Sequence, residues 1–349
     1  GKDYDKRTRF EVYRDLKKED LNVVVAIFPM LFLNDKNINY LPLSGISNRR
    51  TIHCNGSGYY SIYQSDRYGF NNPDKEWDKN GIEFFLLGDS FVHGHCVNEP
   101  DTISGNLRKL ITNRGGVLNL GMNRDLSLSQ YATLKEYLPV KKVKRVLWFY
   151  VEGTLLNLVD ELNNKILINY LNDKSFTQDI ISREQEIQKI LLKKLKQEVL
   201  KQEESSRSKS FILIQFAKLN LMRKVLFPDP VFDPASIPIE EVPIEKFENI
   251  LKLSNEFVKQ NNSKLYFVYL PRYLRYTDNN NHDNLFNYKK INEVVENLNI
   301  PIIDINKELF IKYDDPISLF TFRKKGHYNE KAYQLVAETI FKKINELEK

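Results

Sequence analysis

Short runs of apolar residues alternate with segments of helical spacing along most of the chain after residue 83. Five runs are apolar enough to predict strands buried on both faces of a sheet, namely residues 84–87, 117–120, 143–151, 264–270 and 300–303. Helical spacing predicts helices over residues 102–112, 129–138, 246–260, 288–298 and 330–347. This alternation predicts an α/β domain in which a parallel five-stranded sheet with right-handed crossovers lies between two layers of helices.

The first 80 residues predict a small β-rich lead-in that packs beside the main sheet. Thr8 and Glu11 form the pattern of a capping box, which opens a short helix. A β-branched run over residues 23–28 predicts a strand, and alternating residues over 59–63 predict a hairpin. The surrounding stretch is rich in Gly, Ser, Asn and Tyr, which favours turns and loops.

A charged segment interrupts this alternation over residues 164–243, so we assign the main domain to residues 81–163 and 244–349. A capping-box pattern at residues 182–185 opens a long helix whose apolar face carries Ile187, Leu191, Leu195 and Val199. A second helix is predicted over residues 211–226, followed by an extended, proline-rich stretch. We interpret this insertion as a helical cap or arm, and self-association through residues 176–226 is a further hypothesis.

The overall composition excludes some classes of partner. With 349 residues, 42% of them hydrophobic, the chain can form a large core, and its formal charge of +6 is modest for this length. Its lysines are scattered among acidic residues, so no nucleic-acid partner is predicted. No stretch approaches the roughly 20 apolar residues that cross a bilayer, and no signal peptide is recognised, so we expect any targeting segment or membrane anchor to lie outside this sequence.

The cysteines and histidines leave two questions of site chemistry. Cys54 and Cys96 could form one disulfide or remain two free thiols. His93 and His95 resemble a metal-binding pair, but no cluster of carboxylates and histidines completes a site, so we predict neither a metal nor a cofactor, and one of the two could line a pocket instead. His53 and His282 have loop contexts and are predicted to be surface residues.

The end of the first sheet strand carries the strongest candidate for chemistry. The apolar run over residues 84–87 stops at Gly88, and Asp89 and Ser90 follow where the chain leaves the sheet. Side chains at the carboxyl end of a central strand stand in the crevice where open α/β sheets bind ligands. Ser90 is therefore placed like a nucleophile, although Asp89 and Ser90 could also simply cap a turn.

A late histidine can complete this site. His327 lies after the last strand and just before the final helix, so it is expected at the same edge of the sheet as Ser90. A serine needs an imidazole within hydrogen-bond reach to take its proton, and acyl transfer needs donors for the developing oxyanion. The backbone N–H groups of Ser90 and Gly121 are the natural candidates for those donors.

The order of these residues resembles that of the SGNH/GDSL hydrolase superfamily. The resemblance rests on the Gly-Asp-Ser block at residues 88–90, on Gly121 after the second strand and on His327. It covers roughly residues 83–163 and 245–345 and implies a flavodoxin-like sheet. Residues 68–73 and 326–329 are further similar to envelope-associated bacterial SGNH proteins, some of which acylate or deacylate glycans. This implies a cell-envelope or periplasmic location and a saccharide or other acyl-ester substrate.

The sequence departs from the family pattern at two positions. Thr154 stands where the family usually has an asparagine whose side chain completes the oxyanion hole. Lys324 stands three residues before His327, where the family usually has the aspartate that orients the histidine. Asp314 or Asp315 could take that role, and we name Asp315 as the candidate third catalytic residue; a backbone carbonyl could equally hold the ring in a Ser–His dyad.

Two functions follow as hypotheses. The first is a serine esterase or O-acyltransferase that acts on acyl esters, most plausibly acetyl groups on a saccharide, through an acyl-enzyme on Ser90. The second is a catalytically inactive SGNH fold that binds a glycan or a partner protein, which the departures at Thr154 and Lys324 favour.

Overall fold

The main sheet has the predicted parallel topology. The structure is a computed structural model that describes residues 4–112, 115–204, 243–277, 287–324 and 326–349. The strand order is β5-β4-β6-β7-β8, with every neighbouring pair parallel. The strands are β4 (Ile82–Leu87), β5 (Gly116–Asn119), β6 (Val143–Val151), β7 (Lys264–Leu270) and β8 (Ile302–Asp304). All five predicted sheet strands are thus confirmed, in an order that requires crossover connections.

Helices cover both faces of this sheet, which makes the domain three-layered. The helices are α1 (Arg9–Lys17), α2 (Ser90–His93), α3 (Ile103–Ile111), α4 (Ser127–Tyr137), α5 (Leu158–Leu162), α6 (Leu167–Asn172), α7 (184–204), α8 (Ile244–Gln260), α9 (Tyr288–Asn297), α10 (Ile305–Glu308) and α11 (Glu330–Leu347). Buried side chains of α4, α8 and α9 pack on one face of the sheet, and those of α3 and α11 pack on the other. The predicted α/β/α architecture is confirmed.

The two-residue period of the strands explains why both faces are apolar. In β4, Phe85 and Leu87 belong to the core on the α4 side, whereas Phe84 and Leu86 belong to the core on the α3 side. Successive side chains of a strand point to opposite faces, so a strand covered on both sides must be apolar at every position. The continuous apolar run that predicted β4 is the result of that double burial.

The lead-in forms a separate three-stranded sheet. Its strands are β1 (Val23–Val25), β2 (Arg50–Asn55) and β3 (Tyr60–Gln64), where β1 and β2 are parallel and β2 and β3 form an antiparallel hairpin. The predicted capping box is present at α1, since Thr8 accepts a hydrogen bond from the backbone of Glu11 and the Glu11 side chain accepts one from the backbone of Thr8. The predicted strand over residues 23–28 is shorter than expected and ends at Val25.

The described part of the insertion packs against its own chain. Ile187, Leu191 and Leu195 of α7 are buried in the same core as α4 and α8, so this apolar face is covered. The predicted cap at Ser182 is wrong, because α7 begins at residue 184 and the Ser182 hydroxyl donates to Asp179 instead. The second predicted helix, over residues 211–226, lies outside the described residues. Among the helices described, none combines the length and the apolar character needed to cross a membrane.

Candidate active site

The backbone of two glycines, Gly88 and Gly121, packs closely against Val92. These contacts fix the position of the turn that carries Ser90. A Cβ atom on Gly88 would lie 2.3 Å from Val92 Cγ2, and one on Gly121 would lie 2.7 Å from Val92 Cβ. Only glycine fits at either position, so the ends of β4 and β5 can hold α2 closely between them. Asp89 Oδ1 accepts the backbone N–H of Phe91 at 2.9 Å and caps this short helix. Ser90 is therefore fixed at the carboxyl edge of β4.

The loop that carries His327 is held from both sides. The backbone N–H of Thr321 donates to the carbonyl of His327 at 3.2 Å, and that of Asn329 donates to the carbonyl of Leu319 at 3.0 Å. Next to His327, the fully buried Tyr328 donates its hydroxyl to the carbonyl of Pro271, 2.6 Å away, just after β7. These contacts bring a loop ahead of α11 to the edge of the sheet where β7 ends.

The structure brings Ser90 and His327 together. The Ser90 Oγ and His327 Nε2 atoms lie 2.7 Å apart, although 237 positions separate the residues in sequence. Burial lowers the pKa of His327 well below its usual value, and the neighbouring His95 and the Arg272 guanidinium lower it further. The ring is therefore neutral at pH 7 and can accept a proton from the hydroxyl.

Two aromatic rings pack against His327. His95 stacks on it with ring centroids 3.8 Å apart and an angle of 22° between the planes. Phe91 lies on it at a centroid distance of 4.5 Å. Burial lowers the pKa of His95 to about 4, so this second imidazole is also neutral at pH 7. Ring packing, rather than a carboxylate, thus orients the His327 imidazole.

The structure does not place Asp315 against His327. Its carboxylate forms an ion pair with Arg323, and both side chains are about half exposed. This contact holds the pKa of Asp315 below its usual value. Within the described residues, the hydrogen bond of the His327 ring is the one with Ser90, and no carboxylate bonds its other nitrogen. The structure therefore does not bring Asp315 to His327 as the sequence predicts, because Arg323 binds its carboxylate.

The three predicted oxyanion donors differ in availability. The Gly121 N–H donates to Asn119 Oδ1 at 3.0 Å, and the Thr154 hydroxyl donates to the carbonyl of Val151 at 2.8 Å. The Ser90 N–H stands at the first position of α2 and donates to none of the described acceptors. Only one of the three predicted donors is therefore free for an oxyanion in this conformation.

The motif at residues 68–73 forms hydrogen bonds to the backbone of α2 and of the end of β5, next to the site. The carboxylate of Asp66 accepts hydrogen bonds from the Phe70 backbone, from Asn72 Nδ2 and from Trp77 Nε1. Asn71 donates in turn to the carbonyl of His93, and Asn72 to the carbonyl of Asn119. The motif thus connects the lead-in to α2 and to the end of β5.

The two cysteines form a disulfide that joins the lead-in to the turn after Ser90. Cys54 lies in β2 and Cys96 lies just beyond α2. The crosslink leaves no free thiol in the described chain and decides between the two alternatives left by the sequence. His53, predicted to be a surface residue, is only 2% exposed and contacts His93 and His95. His282 lies outside the described residues.

Sequence reasoning missed the roles of His53 and of His95. The sequence predicts that one of His93 and His95 could line a pocket, but it does not predict that His95 stacks on the candidate base. Its position five residues after Ser90, in the turn that leaves the sheet, was the available signal. For His53 there was no local signal, because its burial depends on β2 packing against α2.

This chain is similar to known proteins in its three-dimensional structure. No protein family model matches it, and no curated protein matches it. Similar solved structures include a member of the lipolytic protein G-D-S-L family from Veillonella parvula DSM 2008, with 12% identity, coverage of 75% of this chain and 97% of that one, and a TM-score of 0.40.

Two further solved structures are similar over the same share of the chain. A lipase/acylhydrolase from Enterococcus faecalis has 14% identity, coverage of 75% of this chain and 95% of that one, and a TM-score of 0.41. The acetyl xylan esterase AlAXEase has 12% identity, coverage of 75% and 100%, and a TM-score of 0.41. At such identities we infer the chemistry of the site from its own geometry.

Proposed function

We propose that this protein is a serine ester hydrolase of the SGNH/GDSL type, with Ser90 as nucleophile and His327 as general base. The observation that carries the proposal is the 2.7 Å separation of Ser90 Oγ and His327 Nε2 at the edge of the sheet where ligands bind. A neutral imidazole at that distance is what a serine hydroxyl requires to become nucleophilic at neutral pH.

The reaction would proceed through an acyl-enzyme. Ser90 Oγ attacks the ester carbonyl while its proton moves to His327 Nε2. The imidazolium then returns that proton to the leaving alcohol as the ester C–O bond breaks. Water, or the hydroxyl of a saccharide acceptor, gives its proton to His327 and attacks the acyl-serine carbonyl. The imidazolium then returns the proton to Ser90 Oγ as the bond between the acyl carbon and Oγ breaks, which releases the acid or the new ester.

We assign the substrate more closely as an acetyl ester of a glycan. We assign the location of the protein to an oxidising compartment. The Cys54–Cys96 disulfide supports the compartment, because such crosslinks persist in the periplasm and outside the cell and are rare in the cytosol. The similarity of residues 68–73 and 326–329 to envelope-associated SGNH proteins supports the saccharide. Hydrolysis and transfer differ only in the acceptor that reaches the acyl-enzyme.

The test combines a chromogenic acetate ester with a fluorophosphonate that labels activated serines. The unmodified protein should turn over the ester and take up one label, and Ser90→Ala should lose both. Ser182→Ala is the matched control, since that hydroxyl contacts only Asp179 among the described residues and should leave both signals intact. Equal labelling of the unmodified protein and of Ser90→Ala would refute the proposal.

A second function is favoured by the oxyanion donors. With the Gly121 N–H and the Thr154 hydroxyl already bonded, the transition state would lose two expected donors. Loss of one such donor costs about 10² to 10³ in rate in a known hydrolase. A catalytically inactive glycan-binding module would explain this arrangement. Glycan affinity that survives Ser90→Ala, together with no ester turnover by the unmodified protein, would establish it.

The pKa of His327 predicts activity that persists into acid. Only the neutral ring can accept the serine proton, and burial together with His95 and Arg272 holds its pKa well below 6.5. The second-order rate of fluorophosphonate labelling should therefore fall by less than about 10-fold between pH 7.5 and pH 5.5. A histidine with the ordinary pKa of about 6.5 would give a fall of about 10-fold.

Asp89 needs a control in that measurement, because burial raises its pKa to about 6, inside the same pH window. Asp89→Asn keeps a side-chain oxygen that can accept the Phe91 N–H, and it does not titrate. If the pH profile of labelling is the same for Asp89→Asn and for the unmodified protein, the fall in rate at low pH is due to protonation of His327. An acid limb centred near pH 6.5 in both proteins would contradict the prediction.

Because His95 stacks on His327, replacing His95 should shift the pH dependence of fluorophosphonate labelling. In His95→Ala, the His327 ring loses a packing partner and gains solvent, so its pKa should rise toward 6.5 and labelling at pH 5.5 should fall severalfold relative to pH 7.5. His95→Phe retains a ring at this position and should keep the profile close to that of the unmodified protein. A merely structural role for His95 would lower the labelling rate equally at both pH values.

A further inference from the structure

Three histidines lie close to the disulfide, and one of them, His95, also stacks on His327. The ring of His53 lies 4.5 Å from that of His93 and 5.3 Å from that of His95, measured between centroids. His53 directly precedes Cys54, and His95 directly precedes Cys96, so the crosslink brings the two histidines together. No step of the proposed hydrolysis uses His53 or His93.

One ring nitrogen of each of these histidines has no hydrogen-bond partner within the described residues. These atoms are His53 Nε2, His93 Nδ1 and His95 Nδ1, and all three are buried. His53 is 2% exposed and His93 is fully buried. A buried polar atom without a partner is destabilising, so three of them in one cluster call for an explanation. Neutral imidazole nitrogens of this kind are the usual nitrogen ligands of zinc.

Cys54 adds a sulfur to the same cluster. One ring nitrogen of His53, one of His95 and Cys54 Sγ all lie within 4.8 Å of one another. Tetrahedral zinc with bonds of the usual length holds its nitrogen and sulfur ligands about 3.3 to 3.8 Å apart, so a small inward movement would suffice. In the disulfide, however, Cys54 has no thiolate to offer, and the site is incomplete.

The cluster can be reached without passing Ser90. A surface cavity of about 380 Å³ in the lead-in is lined by His53 and Cys54 together with Arg9, Asn55 and Tyr60, among others. The half-buried Arg9 lines the same cavity.

We propose that His53, His95 and Cys54 form a zinc site that opens when the Cys54–Cys96 disulfide is reduced. The geometry points to three protein ligands, which leaves the fourth tetrahedral position to water or to Cys96. The site would couple the redox state of the chain to metal binding beside His327, because His95 is shared between the two arrangements. The zinc site shares His95 with the hydrolytic site, but its binding of metal does not depend on hydrolysis.

The chemistry needs an external reductant. A dithiol or a phosphine with water supplies two electrons and two protons, the S–S bond breaks, and Cys54 and Cys96 become thiols while the reductant becomes a disulfide or a phosphine oxide. Cys54 then loses its proton to solvent as its sulfur binds Zn²⁺.

The first test titrates the whole chain with Zn²⁺ by calorimetry and with Co²⁺ by absorption. Protein reduced with tris(2-carboxyethyl)phosphine and then freed of reductant should bind one ion per chain, with a sulfur-to-cobalt charge-transfer band. The oxidised protein is the matched control and should bind none at the same concentrations. Cys96→Ser should bind without any reduction, since it leaves Cys54 as a free thiol.

The ligands are then tested one at a time in the reduced chain. Cys54→Ser, His53→Asn and His95→Asn should each weaken Zn²⁺ binding by about 100-fold or more, at least as much as the loss of an outer partner of a known site. Circular dichroism checks that each variant is folded. The proposal is overturned if folded, reduced protein binds no Zn²⁺, if Cys54→Ser keeps the affinity, or if reduction unfolds the chain and Zn²⁺ does not restore it.

Discussion

Replacing His327 with alanine should lower kcat/KM for an acetate ester by about 10⁴-fold or more, with a parallel loss of fluorophosphonate labelling. A positioned general base contributes about 10² to 10⁴ in rate, and removal of a base that acts together with its serine costs more than that. The effect should be this large because Ser90 Oγ has His327 Nε2 as its hydrogen-bond partner among the described residues. Steady-state kinetics on folded variant protein give the measurement.

Asp315→Asn is the informative comparison for that experiment. A triad with Asp315 as its third residue would lose about 10⁴-fold on this change, as in a serine protease whose orienting aspartate is replaced. The ion pair of Asp315 with Arg323 instead predicts a change of less than about 3-fold, since an exposed pair contributes little. A loss in Asp315→Asn that approaches the loss in His327→Ala would restore the triad and refute the dyad.

Replacing Glu152 with alanine should lower the free energy of unfolding by about 3 to 5 kcal/mol, the usual cost of breaking a buried ion pair. Glu152 follows β6 and is fully buried. Its carboxylate pairs with Arg275, accepts the Tyr269 hydroxyl at 2.8 Å and accepts the backbone N–H of Arg272 at 2.9 Å. Removing it leaves these buried donors of β7 and the loop after it without their acceptor. Urea unfolding followed by tryptophan fluorescence measures the change.

The exposed pair of Glu256 and Lys174 provides a control for this prediction. Glu256→Ala removes a carboxylate from a solvated ion pair and should cost less than about 1 kcal/mol. Glu152→Ala should also slow Ser90 labelling, because Tyr328 is bonded to Pro271, the neighbour of Arg272. If both glutamate variants unfold at the same urea concentration, the buried network does not stabilise the ends of the strands.

The convergence of Ser90 and His327 could be predicted from the sequence because it depends on topology alone. A continuous apolar run identifies a strand covered on both faces, and parallel strands place all their carboxyl ends at one edge. A serine just after β4 and a histidine in the loop before the last helix then have to approach each other. No side-chain detail was needed for this prediction.

The orientation of individual side chains could not be predicted in this way. Asp315 was chosen for its distance along the chain from His327, but Arg323 lies closer to it in space and carries the opposite charge. The Thr154 hydroxyl bonds the carbonyl three residues before it, a local alternative that threonine often takes. In both cases the side chain bonds a partner that is near in sequence and does not take the role that the family pattern suggests.

The contacts between the lead-in and α2 could also not be predicted from the sequence. The burial of His53 and the pairing of Cys54 with Cys96 require β2 to pack beside the turn after Ser90, and no periodicity encodes that contact. Once the contact exists, the two cysteines have Cα atoms only 4.9 Å apart, within the range in which a disulfide forms.

The position of the disulfide also determines the order in which the site can be assembled during synthesis. Its two cysteines are separated by 42 residues, and both have been made before β6, β7 and β8. The serine can therefore be tethered to the lead-in sheet before β6, β7 and β8 have been translated. His327 follows all three strands and lies directly ahead of α11, so a nascent chain carries an anchored but unactivated hydroxyl until the loop with His327 has been made.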